Sequence, residues 1–182
     1  GITFDPVFIQ SLASLKQACA YANMKCKKLT KSKANCIFGI SKKISNNTLD
    51  YIDHFPIDIF QTGSGTSTNM NMNEVISEIA KRSFKQKIHP NDDVNMSQSS
   101  NDVIPTAINI ASLSMSKTLS TSLSFMCESL NSKANNLSNV IKSGRTHLMD
   151  AVPISFEQEL NVWEEQVRAS QAQINISCEE IS

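Results

Sequence analysis

Ile104, Ile108, Ala111, Met115, Leu119, Leu123, Met126, Leu130, Ala134 and Leu137 follow one another at steps of three and four residues. Only an α-helix gathers that spacing onto one face, and the pattern holds for about nine turns. A helix of that length is suited to packing in a bundle of other long helices. A second stripe begins near Glu157 with Leu160, Trp163, Val167, Ile174, Cys178 and Ile181, and it is still running at Ser182. Two such helices cannot cover each other's apolar faces from all sides. Further helices are therefore expected, either from chain beyond Ser182 or from partner subunits, and the sequence reads as a fragment.

Shorter helices are expected ahead of this pair. Asp5-Pro6 is a capping carboxylate followed by a first-turn proline, and Phe8, Leu12, Leu15, Cys19, Ala22 and Cys26 then make one stripe. A second helix starts near Thr30 and carries Ala34, Ile37, Phe38 and Ile44. A third holds Val75, Ile76, Ile79, Ala80 and Phe84, and Asn101 or Asp102 is expected to cap the long helix. No run shows strand alternation, and "KSGRTHLMDAVP" reads as a break between helices. The fold class is all-α: an N-terminal helical domain over 1–98, then the first long helices of a central bundle over 99–182.

Composition narrows function mainly by exclusion. Apolar residues make up 40% of the chain and charged ones 19%, enough for a packed core. Seventeen basic and seventeen acidic side chains cancel, so no global field recruits nucleic acid or an anionic membrane. The basic run "KCKKLTKSK" at 25–33 has no interleaved aromatics and reads as a solvated helix end and turn. Cys19, Cys26, Cys36, Cys127 and Cys178 include no C-x-x-C pair, which favours small thiols in a reducing, cytoplasmic setting over a disulfide framework. An organelle stays open. The histidines His54, His89 and His147 are scattered and suggest no metal site. No apolar run is long enough to span a bilayer.

Three polar segments remain: "QTGSGTSTNMNMNEVI" from Gln61, "HPNDDVNMSQSSND" from His89 and "SGRTHLMDAVPISFEQEL" from Ser143. Each offers hydroxyls, amides or an imidazole where an ordinary loop shows lysine and glutamate. Gly63 and Gly65 permit close backbone approach or positive φ. Ser99, Ser100 and Asn101 lie at a helix start, where free N–H groups favour an anion. Taken singly, each has a plain structural explanation: a turn, a cap, an exposed loop histidine. Together they point to a shared site for a carboxylate, held by neutral donors.

These three blocks, in this order and at these separations, closely resemble the class II fumarases of the fumarase/aspartase superfamily. The resemblance covers most of the chain from about Phe8 onward. "QTGSGT", "HPNDDVN", "SSND" and the His147 of "GRTHL" are fumarase-like; "TSTNMN" and Met96 lean toward aspartases, and Glu157 replaces a glycine common to both. Argininosuccinate and adenylosuccinate lyases fit the blocks poorly. The resemblance implies reversible trans addition of water to fumarate, giving (S)-malate through an aci-carboxylate. It implies that Ser64, Gly65 and Thr66 bind one substrate carboxylate, with Ser99, Ser100 and Asn101 contributing from another subunit. Thr146 would contact substrate, and His147 would move the proton, often through a water. Imidazole suits that role because both its protonation states are reached near neutrality.

His89, Pro90, Asn91 and Asp92 match a second anion site of that family, and His89 is equally readable as a helix cap. Asn69, Asn71 and Asn73 are expected to fix the loop by backbone hydrogen bonding. The resemblance further implies a homotetramer with active sites shared among three subunits, and neither metal nor organic cofactor. It places a catalytic serine loop, with its lysine and asparagine, and the acidic partner of the histidine beyond Ser182, so these 182 residues alone are expected to lack hydratase activity. The alternatives are an aspartate ammonia-lyase of the same superfamily and a non-catalytic helical assembly module.

Overall fold

The computed structural model describes residues 1–61 and 63–181. The chain forms α1 (Pro6–Lys25), α2 (Lys31–Asn46), a one-turn α3 (Thr48–Tyr51) running into a 3-10 turn (Ile52–His54), and α4 (Thr66–Phe84). After a π-helical turn (Pro90–Val94) come α5 (Ser100–Asn136), a hairpin of β1 (Ile141–Thr146) and β2 (Met149–Ser155), and α6 (Phe156–Ile181). It divides within α5 into two compact units, 1–112 and 113–182. The boundary drawn from the sequence at 98/99 marks the start of α5. Val103, Ala107 and Ala111 of that helix are buried in the first unit's core and carry the unit on to Ser112.

Local chemistry sets the helix starts in the first unit. The Asp5 carboxylate accepts the N–H of Val7 at 2.8 Å, with Pro6 in the first turn, and Thr30 Oγ1 accepts the N–H of Lys33. The basic run at 25–33 is the end of α1, a turn and the start of α2. Phe8, Ile9 and Leu12 of α1, Ile37, Ile40 and Ile44 of α2, and Met72, Ile76 and Ala80 of α4 form one apolar core.

Several expected faces are displaced. Phe38 is 37% exposed, and Ile40 and Ser41 take its place in the core. On α1, Ala22 and Cys26 face solvent, while Lys16 and Asn23 are buried. The apolar stripe thus passes into a polar one halfway along the helix, because α1 meets the polar segment 94–98 there. The third helix begins nine residues before Val75, at Thr66. Its first buried positions are Thr68, Asn69 and Asn73, which continue the face of Met72 and Ile76 in polar side chains.

The second unit corrects the reading of 142–153 as a break between helices. Ile141 pairs with Ser155, and Thr146 with Met149, in an antiparallel hairpin. A bulge between Ser143 and Arg145 falls at Gly144, where a Cβ would lie 2.8 Å from the carbonyl oxygen of Val152. The hairpin is tied to α6 by Lys142, whose Nζ donates to both carboxylate oxygens of Glu159 at 2.8 Å and sits over the Phe156 ring. Ser155 and Gln158 cap α6 reciprocally, Gln158 N–H to Ser155 Oγ and Ser155 N–H to Gln158 Oε1, as in a capping box. Within this unit α5 and α6 meet through polar contacts. Gln171 donates to Ser120 and Ser124, Cys178 contacts Ser116, and Cys127 Sγ lies 3.9 Å from the Glu164 carbonyl oxygen.

Candidate functional site

Residues 63–66 enter α4 through a glycine. Gly65 is the N-cap, with φ +66°, and has no side chain to cap the helix. Gln61 does so from outside: its Oε1 accepts the N–H of Thr68, and its Nε2 donates to Thr68 Oγ1 and to the Asp58 carbonyl. Ser64 and Thr66 join hydroxyl to hydroxyl at 2.9 Å, and both side chains are exposed. This leaves two exposed hydroxyls at a helix start where Gln61 takes up the N–H of Thr68, an arrangement open to an anion.

The second donor segment begins where α5 begins. Ser99, rather than Asn101 or Asp102, caps the helix, its Oγ accepting the N–H of Asn101 at 3.2 Å. Ser100 is half-buried, and Ser99 and Asn101 are exposed. Asn69 Nδ2 of α4 donates to Ser100 Oγ at 3.0 Å, and a Cβ on Gly65 would lie 2.9 Å from Ile104 Cγ1. Within one chain the two donor segments are therefore neighbours. The sequence-based expectation has Ser99, Ser100 and Asn101 contributing from another subunit; the contacts described here, Asn69 to Ser100 and Gly65 to Ile104, lie within one chain.

Beneath them lies a polar cluster that the sequence did not announce. Asn95 Oδ1 accepts from Asn69 at 3.1 Å, Asn73 at 3.3 Å and Lys16 Nζ at 3.2 Å. Lys16 also donates to Gln98 Oε1 at 2.9 Å, and Asn23 holds the Met96 carbonyl. Asn69 and Asn73 thus act side chain to side chain, contrary to the backbone role expected for them; only Asn71 donates to a backbone carbonyl, that of His54. Lys16 is 1% exposed, and burial pulls its pKa down from 10.5 to about 8. The nearest sequence signal was its position, two turns from Phe8 on the buried side of α1, where a lysine is out of pattern. The Met96 side chain packs against the apolar core, which accounts for a methionine there on packing grounds.

His89 caps the π-helical turn, its Nδ1 accepting the N–H of Asp92 at 3.1 Å. The buried Asp93 accepts the His89 N–H and both 2.8 Å contacts of Lys33 Nζ. Pro90 opens the turn, and Asn91 and Asp92 are exposed. Thr146 and His147 belong to the second unit and lie at the hairpin tip. His147 and Leu148 form the two-residue connection, with φ +52° and +62°. Positive φ at both positions is what a type I′ turn requires, and it is strained for side chains larger than glycine. The His147 side chain is exposed at this turn. Burial pushes the Cys19 and Cys36 thiols up, which makes them poor nucleophiles. Among the described residues no group of histidine, cysteine and carboxylate side chains could hold a metal ion, and no helix is long and apolar enough to cross a membrane.

The model of a family described as "Lyase" matches residues 5–182. The chain is 46% identical over 176 residues to the class II fumarate hydratase of Xylella fastidiosa, covering 96% of this chain and 37% of that protein. It is 48% identical over 169 residues to that of Corynebacterium efficiens, covering 92% and 35%. It therefore spans little more than a third of the length of these relatives. Among solved structures it superposes on recombinant class II fumarase from Schistosoma mansoni, with a TM-score of 0.84 and 35% identity over 98% of this chain and 38% of that one. The native fumarate lyase/delta crystallin of Brucella melitensis gives a TM-score of 0.86 at 38% identity, over 97% and 42%. The likeness carried by the three polar blocks extends over residues 5–182, and the chain belongs to this lyase family.

Proposed function

We propose that the full-length protein is a fumarate hydratase that adds water reversibly across the double bond of fumarate. The observation that carries this reading is the intrachain junction of two donor segments, Gly65 against Ile104 and Asn69 on Ser100, in a chain so similar to class II fumarate hydratases. Ser64, Gly65, Thr66, Ser99, Ser100 and Asn101 hold a substrate carboxylate through neutral donors. The difficulty of the reaction is electrostatic, because removing a proton beside a carboxylate builds a second negative charge on its oxygens. Preorganised donors stabilise that charge, and losing one such donor costs roughly 3–4 kcal/mol in related chemistry. Thr146 contacts substrate, and His147, exposed at the hairpin turn, moves the proton. His89, Pro90, Asn91 and Asp92 form a second anion site.

The enzyme works as a homotetramer in which other copies complete each site, and exposed apolar side chains along α5 and α6 support such packing. All five thiols are free, which suits the cytoplasm. The decisive assay offers the full-length protein fumarate, malate and aspartate separately. Interconversion of fumarate and malate without ammonia release is expected, and His147→Asn should lower kcat by about 10²–10⁴-fold. Release of ammonia from aspartate, with no malate formed from fumarate, would overturn the assignment in favour of an ammonia-lyase.

A further inference from the structure

Among the described residues Lys16 is the one lysine buried almost completely, and it donates to the neutral amide oxygens of Asn95 and Gln98. Buried cations are ordinarily paired with a carboxylate. Both of these amides lie in the five-residue segment that leads into Ser99.

That segment is held from all sides. Asn23 donates to the Met96 carbonyl, Asn69 and Asn73 share Asn95 Oδ1 with Lys16, Gln98 Nε2 donates to the Val94 carbonyl, and Asn95 Nδ2 donates to that of Gln98. Ser97 in its middle has φ +58°, a left-handed conformation that a serine keeps only when its surroundings fix it. Asn69 belongs to both networks, because its Nδ2 reaches Asn95 Oδ1 and Ser100 Oγ alike.

We infer that Lys16 is a positioning residue: through Asn95 and Gln98 it fixes the 94–98 segment, and so sets the geometry with which Ser99, Ser100 and Asn101 receive a substrate carboxylate, without touching substrate itself. This rests on the proposed hydratase reading.

The test uses the full-length protein with Lys16→Met and, separately, Gln98→Met, which removes the other end of the contact from a half-buried side chain. Ile37→Ala, in the α2 core, is the control for destabilisation alone. The readouts are KM and kcat for fumarate and malate, and the dissociation constant of succinate, an unreactive dicarboxylate. Lys16→Met is expected to raise KM and the succinate constant by about 10-fold or more, Gln98→Met by less, and Ile37→Ala to leave both unchanged while lowering the unfolding temperature. Wild-type KM and succinate binding in both network variants would overturn the positioning role. So would a Lys16→Met that fails to fold beside a Gln98→Met of wild-type KM. A wild-type protein that does not hydrate fumarate would instead overturn the reading of the reaction.

Discussion

Gly65 and Gly63 stand two residues apart in the same polar loop and respond oppositely to a methyl group. Gly65 has φ +66°, and a Cβ there would overlap Ile104 at 2.9 Å; around Gly63 nothing lies within 4 Å. Gly65→Ala should therefore cost roughly 2 kcal/mol or more, from left-handed strain together with overpacking. Gly63→Ala should stay within about 0.5 kcal/mol. Thermal unfolding of the two variants side by side checks this, and equal midpoints would refute the close approach of the loop to α5.

Lys16 supplies a second prediction, through pH. Its folded pKa of about 8 lies below the ordinary 10.5 because burial disfavours the charged form. Between those values the unfolded chain binds a proton that the folded chain does not, so stability rises with pH across that window. Below about pH 8 the fold carries the cost of the buried charge, roughly 3 kcal/mol. Lys16→Met removes that cost but leaves Gln98 Oε1 unpaired, at about 1–3 kcal/mol. The two nearly cancel at neutral pH. Unfolding midpoints of wild type and variant should thus be close at pH 7 and separate, wild type the higher, by pH 10. A gap that does not change with pH would mean that Lys16 titrates normally. Residues such as Ser64 and Asn101 were readable because they sit in polar blocks; Lys16 was not, because a lysine in an apolar stripe looks like a pattern ending and its partners lie some 80 positions away.

The helices were readable wherever apolar side chains keep the three- and four-residue spacing, as in α2 and α5, even where that stripe is left half exposed. On α4 the buried positions Asn69 and Asn73 are polar, so the helix seemed to begin at Val75 although its face is continuous from Thr68. The hairpin escaped for related reasons. Its turn is His147-Leu148 rather than an Asn-Gly type pair, β2 contains Pro153, β1 contains Gly144 at a bulge, and both strands are largely exposed, so no alternation marks them. Leu148 is fully exposed with φ +62°. Leu148→Gly should relieve the strain and stabilise the 182-residue chain by about 1 kcal/mol, read as a higher midpoint of thermal unfolding. A lower midpoint would mean that the Leu148 side chain makes a stabilising contact that its exposure here does not reveal.

An apolar core fills the first unit, whereas the second leaves large side chains uncovered. Phe125 is 63% exposed and Met115, Leu119 and Met126 about half, on α5; Val162 and Trp163 are similarly open on α6. Isolated exposed apolar residues are ordinary, but long helices with apolar side chains left open along them favour association. Trp163 is the sole tryptophan of the chain, so its emission reports directly on whether its surroundings are wet. At micromolar concentrations the 182-residue chain should associate through these helices, its sedimentation should rise with concentration, and Trp163 emission should shift to the red on dilution as the associates separate. Association of this kind restores helix packing, but the chain spans little more than a third of the length of its relatives, so fumarate turnover should stay absent at every concentration. Emission and sedimentation that ignore concentration would show that these helix faces are stable in water alone, and malate formation by the associated chain would mean that 182 residues suffice for a working site.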